Sequence, residues 1–299
     1  MKIKYLLIPI VAGLLAGCGT NEKNQQSSTA VAPKPEPPKQ EAPKPPKPAM
    51  QEIVIDGVAG FQDTPMEPDG QWHVHDPARP QPPVVTPGTF STGATAPSDA
   101  VVLFDGTSLD NWRDRHTGGP APWTIADGVM VAAKGDIQCT NEFGDMQLHV
   151  EFCEPEPGNH SGQDRGNSGV FLMGRYEIQV LDCYQSKTYA DGATAAIYGQ
   201  HPPLANPCRP PGEWQTYDIA FTAPRFDASG AVQSPGYVTV FFNGVLVQDH
   251  QSIRGETNWR VPGKYVPHGA TGPIGLQFHN HPVKFRNIWA RPITIDNEP

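Results

Sequence analysis

The chain has 299 residues, with 22 Lys and Arg against 31 Asp and Glu, and a formal net charge of −9. That acidic balance argues against a nucleic-acid partner, which wants clustered basic residues. A neutral or small polar ligand fits better, and the length allows one large domain with a substantial core.

Residues 1–18 carry Lys2 and Lys4, then an apolar run from Leu6 to Leu15, then small residues before a cysteine. This is the layout of a secretory signal, and the run is too short for a permanent membrane span. Leu15-Ala16-Gly17-Cys18 resembles the bacterial lipobox, so cleavage is expected to leave Cys18 as a lipidated N-terminus. The competing reading is an ordinary signal peptide with an incidental cysteine. Gly19 stands where an aspartate would resemble an inner-membrane retention signal, so the expected location is the cell envelope, lipid-anchored, at the outer membrane, with the periplasmic or surface face open. Residues 19–51 are polar and then Pro/Lys/Glu-rich, a composition that cannot bury a core and favours extended polyproline II. They are read as a disordered tether.

Residues 52–98 hold few strand signals but include Trp72, His73, His75 and a Pro-rich stretch. They are read as an ordered extension wrapping the domain that follows, residues 99–296. In that domain strand-like runs recur between Gly, Pro, Asn and Asp: VVLFD, GVMVAA, MQLHVEF, SGVFLM, YEIQVLD, TYDIAF, YVTVFFNGVLVQ, PIGLQFH and VKFRNIWARPI. No long stretch has a helical period. Short strands at this spacing predict an all-β, antiparallel β-sandwich or jelly roll. The clearest hairpin is Val238 to Gln248, where Asn243-Gly244 supplies the two positive-φ positions of a type I′ turn.

Parity then sorts the side chains, because successive strand residues point to opposite faces. In YEIQVLD, Ile178 and Val180 share one face while Glu177 and Gln179 share the other. In MQLHVEF, Gln147, His149 and Glu151 oppose Leu148, Val150 and Phe152, and in PIGLQFH, Gln277 and His279 oppose Ile274, Leu276 and Phe278. Glu177, Gln179, Gln277 and His279 are expected to share a surface, although such positions are ordinarily just solvent-facing. Asn167, in the turn entering SGVFLM, is a candidate partner for a sugar hydroxyl.

His73 with His75, and His279 with His281, are His-x-His pairs that on a strand share a face and can ligate a metal; the second equally reads as a turn with one functional imidazole. His201, beside two prolines, reads as a loop residue. With Cys18 lipidated, Cys139, Cys153, Cys183 and Cys208 remain, with three possible pairings and no CxxC; a bridge, if one forms, is expected between Cys183 and Cys208. The Glu-x-Asp-x-x-Glu spacing of jelly-roll glucanases, which supplies the two carboxylates of ordinary glycosidases, is absent, and GNSGV lacks the Gly-x-Ser-x-Gly order of a nucleophile elbow.

LFDGTSLDNW, NSGVFLMGRYEIQVLD, AAIYGQHPPLANPCRPPGEWQTYDIAFTAPRF and GPIGLQFHNHPVKFRNIWARPI, in that order, resemble the bacterial 3-keto-disaccharide hydrolase family, also described as 3-keto-glucoside 1,2-lyase and 3-keto-2-hydroxy-glucal hydratase. The resemblance spans Val101 to Ile293 and implies a concanavalin-like jelly roll. It implies cleavage of a glycoside already oxidised at carbon 3, by elimination and then hydration, and therefore a partner oxidoreductase that forms the ketone. By position in the matching motifs, Glu177 or His279 is the expected base or acid, and Arg286 or a bound divalent cation the expected stabiliser of the enolate. Gln179, Asn167, Tyr198 and Gln277 would hold hydroxyls, with Asp182, of opposite parity, fixing a turn or meeting the site from its rim. The chain departs from the family's LQxHG, with Phe278 at a position often acidic and Asn280 in place of glycine. Arg286 has a second reading, a structural salt bridge to a strand carboxylate. The competing function is a lectin-like, non-catalytic carbohydrate-binding module, for which exposed platforms at Trp112, Trp123 or Trp214 would speak. Direct hydrolysis of ordinary β-glucans is disfavoured by the missing carboxylate spacing.

Overall fold

The computed structural model describes residues 50–294. The signal, Cys18 and nearly all of the tether lie outside the described residues. In chain order the strands are β1 (Glu52–Ile55), β2 (Val58–Phe61), β3 (Val101–Phe104), β4 (Trp112–Asp114), β5 (Thr124–Ala126) and β6 (Val129–Val131). Next come β7 (Ile137–Phe143), β8 (Met146–Cys153), β9 (Ser168–Leu172), β10 (Tyr176–Val180), β11 (Gln215–Thr222) and β12 (Arg225–Phe226). The last are β13 (Val232–Ser234), β14 (Tyr237–Phe242), β15 (Val245–Ser252), β16 (Gly272–Leu276) and β17 (Lys284–Pro292).

A five-stranded sheet in the order β10-β9-β16-β7-β4 packs on an eight-stranded sheet running β15-β14-β11-β8-β17-β6-β5, with β3 also paired to β17. All these pairings are antiparallel. The fold is an all-β sandwich of the concanavalin-like jelly-roll type; among the described residues the only helical elements are two short 3-10 turns, Gly162–Asp164 and Ala190–Gly192. Between the sheets lie the inward residues that parity assigns: Val170, Leu172, Ile178, Val180, Ile274 and Leu276 from one side, and Leu148, Val150, Phe152, Tyr217 and Phe242 from the other.

The Asn243-Gly244 turn joins β14 to β15 with φ of 48° and 76°, as a two-residue I′ loop requires. Asn243 does more than turn the chain. Its buried side chain accepts from the Thr216 amide (2.9 Å) and donates to Pro207 O (2.9 Å), pinning the turn to the sandwich.

Residues before 99 contribute more regular structure than their strand signals announce. β1 and β2 form a hairpin about Asp56-Gly57, whose φ values of 50° and 79° again suit a tight turn. Gly60 lets this hairpin seat against the following segment, since a Cβ there would lie 2.4 Å from His75 O. Further on, Val84 pairs with Asn206 and Asn287 donates to Ala94 O at 2.9 Å.

The four described cysteines are free, buried thiols. The expected Cys183–Cys208 bridge is therefore not formed; Cys183 Sγ instead accepts from the Thr194 amide at 3.3 Å.

Candidate active site

On the outward face of the five-stranded sheet lies a cavity of about 520 Å³. Its floor is made of two rungs set by strand register. Gln179 pairs with Gly169, whose carbonyl accepts from the Gln277 amide; beside them Glu177 pairs with Phe171, which in turn pairs with Gly275. Period-two alternation puts Glu177, Gln179, Phe171 and Gln277 into the cavity while their neighbours enter the core. Gly169 is required here for clearance: a Cβ would lie 2.3 Å from Glu177 Oε1.

Glu177 is buried, and among the described residues its carboxyl group has no hydrogen-bond or salt-bridge partner. Burial is the main reason its pKa is pushed up to about 8; the Asp136 carboxylate adds to the shift and Arg115 opposes it. Such a carboxyl group is poised to take up and release a proton near neutrality. The amide oxygens of Gln179 and Gln277 are also buried without partners, and Gln179 Nε2 is turned to Gln163 Oε1 at 3.2 Å. Asn167 lines the cavity with its amide nitrogen on Gln163 O at 2.8 Å. His279 stands exposed at the mouth.

One wall is a pair of phenols. Tyr189 and Tyr198 place their hydroxyls 2.9 Å apart, and burial raises both above the ordinary phenol range, so they remain protonated donors. Behind them lies His75 from the N-terminal extension, stacked on Tyr189 at 4.1 Å. Its backbone amide donates to Asp191 Oδ2 (2.9 Å), and its Nδ1 lies 3.3 Å from the same oxygen. A third side of the cavity comes from Phe61 on β2 and from residues 257–260; Thr257 Oγ1 ties this loop to the floor by accepting from the Glu177 amide at 3.0 Å.

The cavity thus gathers Glu177, His279, Asn167, Gln179, Tyr198 and Gln277. Two predicted residues are elsewhere. Arg286 belongs to the other sheet, where register sets it opposite Glu151; its Nε donates to Glu151 Oε2 at 2.7 Å and its guanidinium lies over Trp214 at 3.9 Å. It is a structural ion pair, the second of the two readings. Asp182 pairs with Arg165 and accepts from the Tyr184 amide at 3.0 Å, so it fixes the turn after β10 and is not part of the cavity.

The paired histidines are also separated. His73 Nδ1 meets Thr64 O, His75 is sealed behind the phenols, and His281 meets Asp164 at 2.9 Å while its partner His279 faces the cavity. Among the described residues no three His, Cys, Asp or Glu side chains are grouped to hold a metal ion. Asn280, between His279 and His281, has φ of 63°, so the turn that a glycine would make is kept by a residue that tolerates left-handed geometry. Of the three proposed platforms, Trp112 and Trp123 are core residues and Trp214 is half-buried beneath Arg286; the exposed indole at the cavity is Trp259.

A family model described as the 3-keto-alpha-glucoside-1,2-lyase-like domain matches residues 99–291. The chain belongs to this family. Among solved structures, a candidate glycosyl hydrolase from Parabacteroides distasonis ATCC 8503 is 47% identical, with a TM-score of 0.64, over 77% of this chain and 100% of that one. A second candidate glycosyl hydrolase from the same organism is 20% identical, with a TM-score of 0.48, over 66% of this chain and 94% of that one. No curated protein matches the chain. Phe61, which lines the cavity, and His75, which packs behind Tyr189, precede the residues matched to the 3-keto-alpha-glucoside-1,2-lyase-like family.

Proposed function

We propose that the cavity cleaves 3-keto-glycosides by elimination followed by hydration. The observation that carries this reading is Glu177, a buried, unpartnered carboxyl group titrating near 8 among amide oxygens and neutral phenols. A ketone at carbon 3 acidifies the proton on carbon 2. Glu177 removes that proton, the C2–H electrons form the C1=C2 double bond by way of the enolate, and the C1–O bond breaks with its electrons leaving on the glycosidic oxygen. Tyr198 and Tyr189 donate hydrogen bonds to the enolate oxygen, and His279 at the mouth protonates the leaving group. Water then gives one proton to His279 and adds its oxygen to carbon 1 while a proton returns to carbon 2 from Glu177, giving the 3-keto sugar and restoring both groups. Gln179, Gln277 and Asn167 hold ring hydroxyls. No second carboxylate is needed, in contrast to ordinary glycosidases.

Such a substrate must be supplied by an oxidoreductase that converts the hydroxyl at carbon 3 to a ketone. The lipobox-like Leu15-Ala16-Gly17-Cys18 supports a lipid-anchored enzyme of the cell envelope, at the outer membrane, joined to its anchor by the 19–51 tether.

The test offers the purified chain a 3-keto-glucoside and its unoxidised parent and follows release of the leaving group. Release from the keto sugar alone, lost in Glu177→Gln, is the expected result. Release from the parent would overturn elimination, and binding of both without release would make the protein a carbohydrate-binding module.

A further inference from the structure

The loop of residues 257–260 on the third side of the cavity carries a cation that, among the described residues, has no carboxylate partner. Arg260 lies with its guanidinium between two aromatic rings, 3.7 Å from the centroid of Trp259 and 3.9 Å from that of Phe61. Both faces of the planar group are therefore covered, and only its edge, where the N–H donors lie, is left to bond. Nε is buried without a partner, and among the described residues the guanidinium meets no carboxylate. Other arginines of this chain are committed: Arg165 to Asp182, Arg254 to Glu67 and Arg286 to Glu151.

Nothing in the cavity neutralises it. Glu177 is mostly protonated at pH 7, and Glu52, the other carboxylate at the mouth, is solvent-exposed. Beside the guanidinium, Trp259 is 61% exposed, a large aromatic surface on which a ring can stack. A planar edge of donors next to an apolar platform is the chemistry that recognises a carboxylate carried on a ring.

We propose that Phe61, Trp259 and Arg260 form a subsite for a carboxylate on the glycoside, so that the substrate class of this site is acidic 3-keto-glycosides. This rests on the elimination reading for its substrate but not for its binding chemistry. The carboxylate can be carried by the leaving group or by carbon 6 of the keto sugar, and the two sources are separable. Trp259 and Arg260 lie within the residues that the family model matches, and Phe61 precedes them on the N-terminal hairpin.

The experiment compares kcat/KM for three 3-keto substrates: a para-carbamoylphenyl glucoside, which is neutral; a para-carboxyphenyl glucoside, acidic on the leaving group; and a para-carbamoylphenyl glucuronide, acidic on the sugar. The wild type is expected to favour one acidic substrate over the neutral one by about tenfold or more, chiefly through KM, the effect of one charge-assisted hydrogen bond. That ratio should fall to near one in Arg260→Gln and be partly kept in Arg260→Lys, which retains the charge without the fork. Which acid is favoured identifies the source. Equal kcat/KM for acidic and neutral substrates in the wild type, or a ratio unchanged in Arg260→Gln, overturns the subsite while leaving elimination standing. If none of the three is cleaved, elimination fails, and calorimetry with the unoxidised para-carboxyphenyl glucoside and the corresponding glucuronide decides the subsite alone. Binding weakened about tenfold by Arg260→Gln supports it; no binding, or binding indifferent to Arg260, overturns it.

Discussion

Strands β8 and β10 each carry a glutamate with the same sequence grammar, Glu151 in LHVEF and Glu177 in YEIQV, outward between inward-facing apolar residues. The two end in opposite states. Glu151 is covered by residues 91–94 and by β17; burial works to raise its pKa, but hydrogen bonds from His149, Asn287, Arg286 and the Gly93 amide outweigh it and hold it at about 2. His149 in turn meets Asp218 at 2.7 Å, and Ser91 meets the same aspartate. Glu177 is also buried, yet no donor among the described residues meets its carboxyl group, and its pKa rises to about 8. Alternation dictates that a side chain leaves the core; what then covers it decides whether the carboxylate clamps the fold or does chemistry.

That contrast can be broken from either side. The largest effect is expected for Glu177→Gln, which should lower kcat on a 3-keto-glucoside by roughly 10²–10⁴-fold, the contribution of a positioned general base. In the wild type kcat/KM should rise with pH toward a plateau with an apparent pKa near 8, a limb that Glu177→Gln lacks. Stability has the opposite sign. Because the folded pKa lies above the unfolded value, the Glu177 contribution is fully present below about pH 4.5 and lost as pH rises through 8. The Tm advantage of Glu177→Gln over wild type should therefore grow across that window.

Tyr198→Phe removes one donor to the enolate oxygen and should cost roughly 10²–10³-fold in kcat, with KM changed less. On the other side of the comparison, Arg286→Ala removes the one full positive charge among the groups that hold the buried Glu151 carboxylate. It should destabilise the fold by roughly 1–3 kcal/mol in denaturant melts while kcat stays within a few-fold. A loss of kcat as large as that of Glu177→Gln would return Arg286 to the site. The smallest effect is expected at Asn280→Gly, which exchanges one residue tolerant of left-handed φ for another and should move stability by less than about 1 kcal/mol.

The sandwich was legible because its strands are short, alternate cleanly and are bounded by turn residues; Ile178, Val180, Leu276 and their neighbours all entered the core on parity. The floor of the cavity was legible for the same reason, since Glu177 and Gln179 are outward positions on β10 and Gln277 continues the outward parity of β16 across the intervening β9. The β1–β2 hairpin passed unread although Asp56-Gly57 flanked by apolar runs carries its signal. Tyr189, Trp259 and Arg260 had no signal of that kind. They sit in turns and loops whose approach to β10 is set by long-range contacts such as Thr257 on Glu177, and no local period marks them. Arg286 was misplaced because a motif gives sequence position without register, and register set it opposite Glu151.

The most direct test of the central claim is the isotope content of the product at early times. A 3-keto-glucoside turned over in deuterium oxide, with the product quenched and read by mass spectrometry and NMR, should yield 3-keto-glucose carrying deuterium at carbon 2 in step with leaving-group release, against an enzyme-free control for spontaneous exchange. Protium retained at carbon 2 together with no primary isotope effect on leaving-group release from substrate deuterated at carbon 2 would mean that the glycosidic bond is broken by direct displacement, and the role given to Glu177 would be wrong; protium retained with such an effect would mean that Glu177 returns the proton it removed.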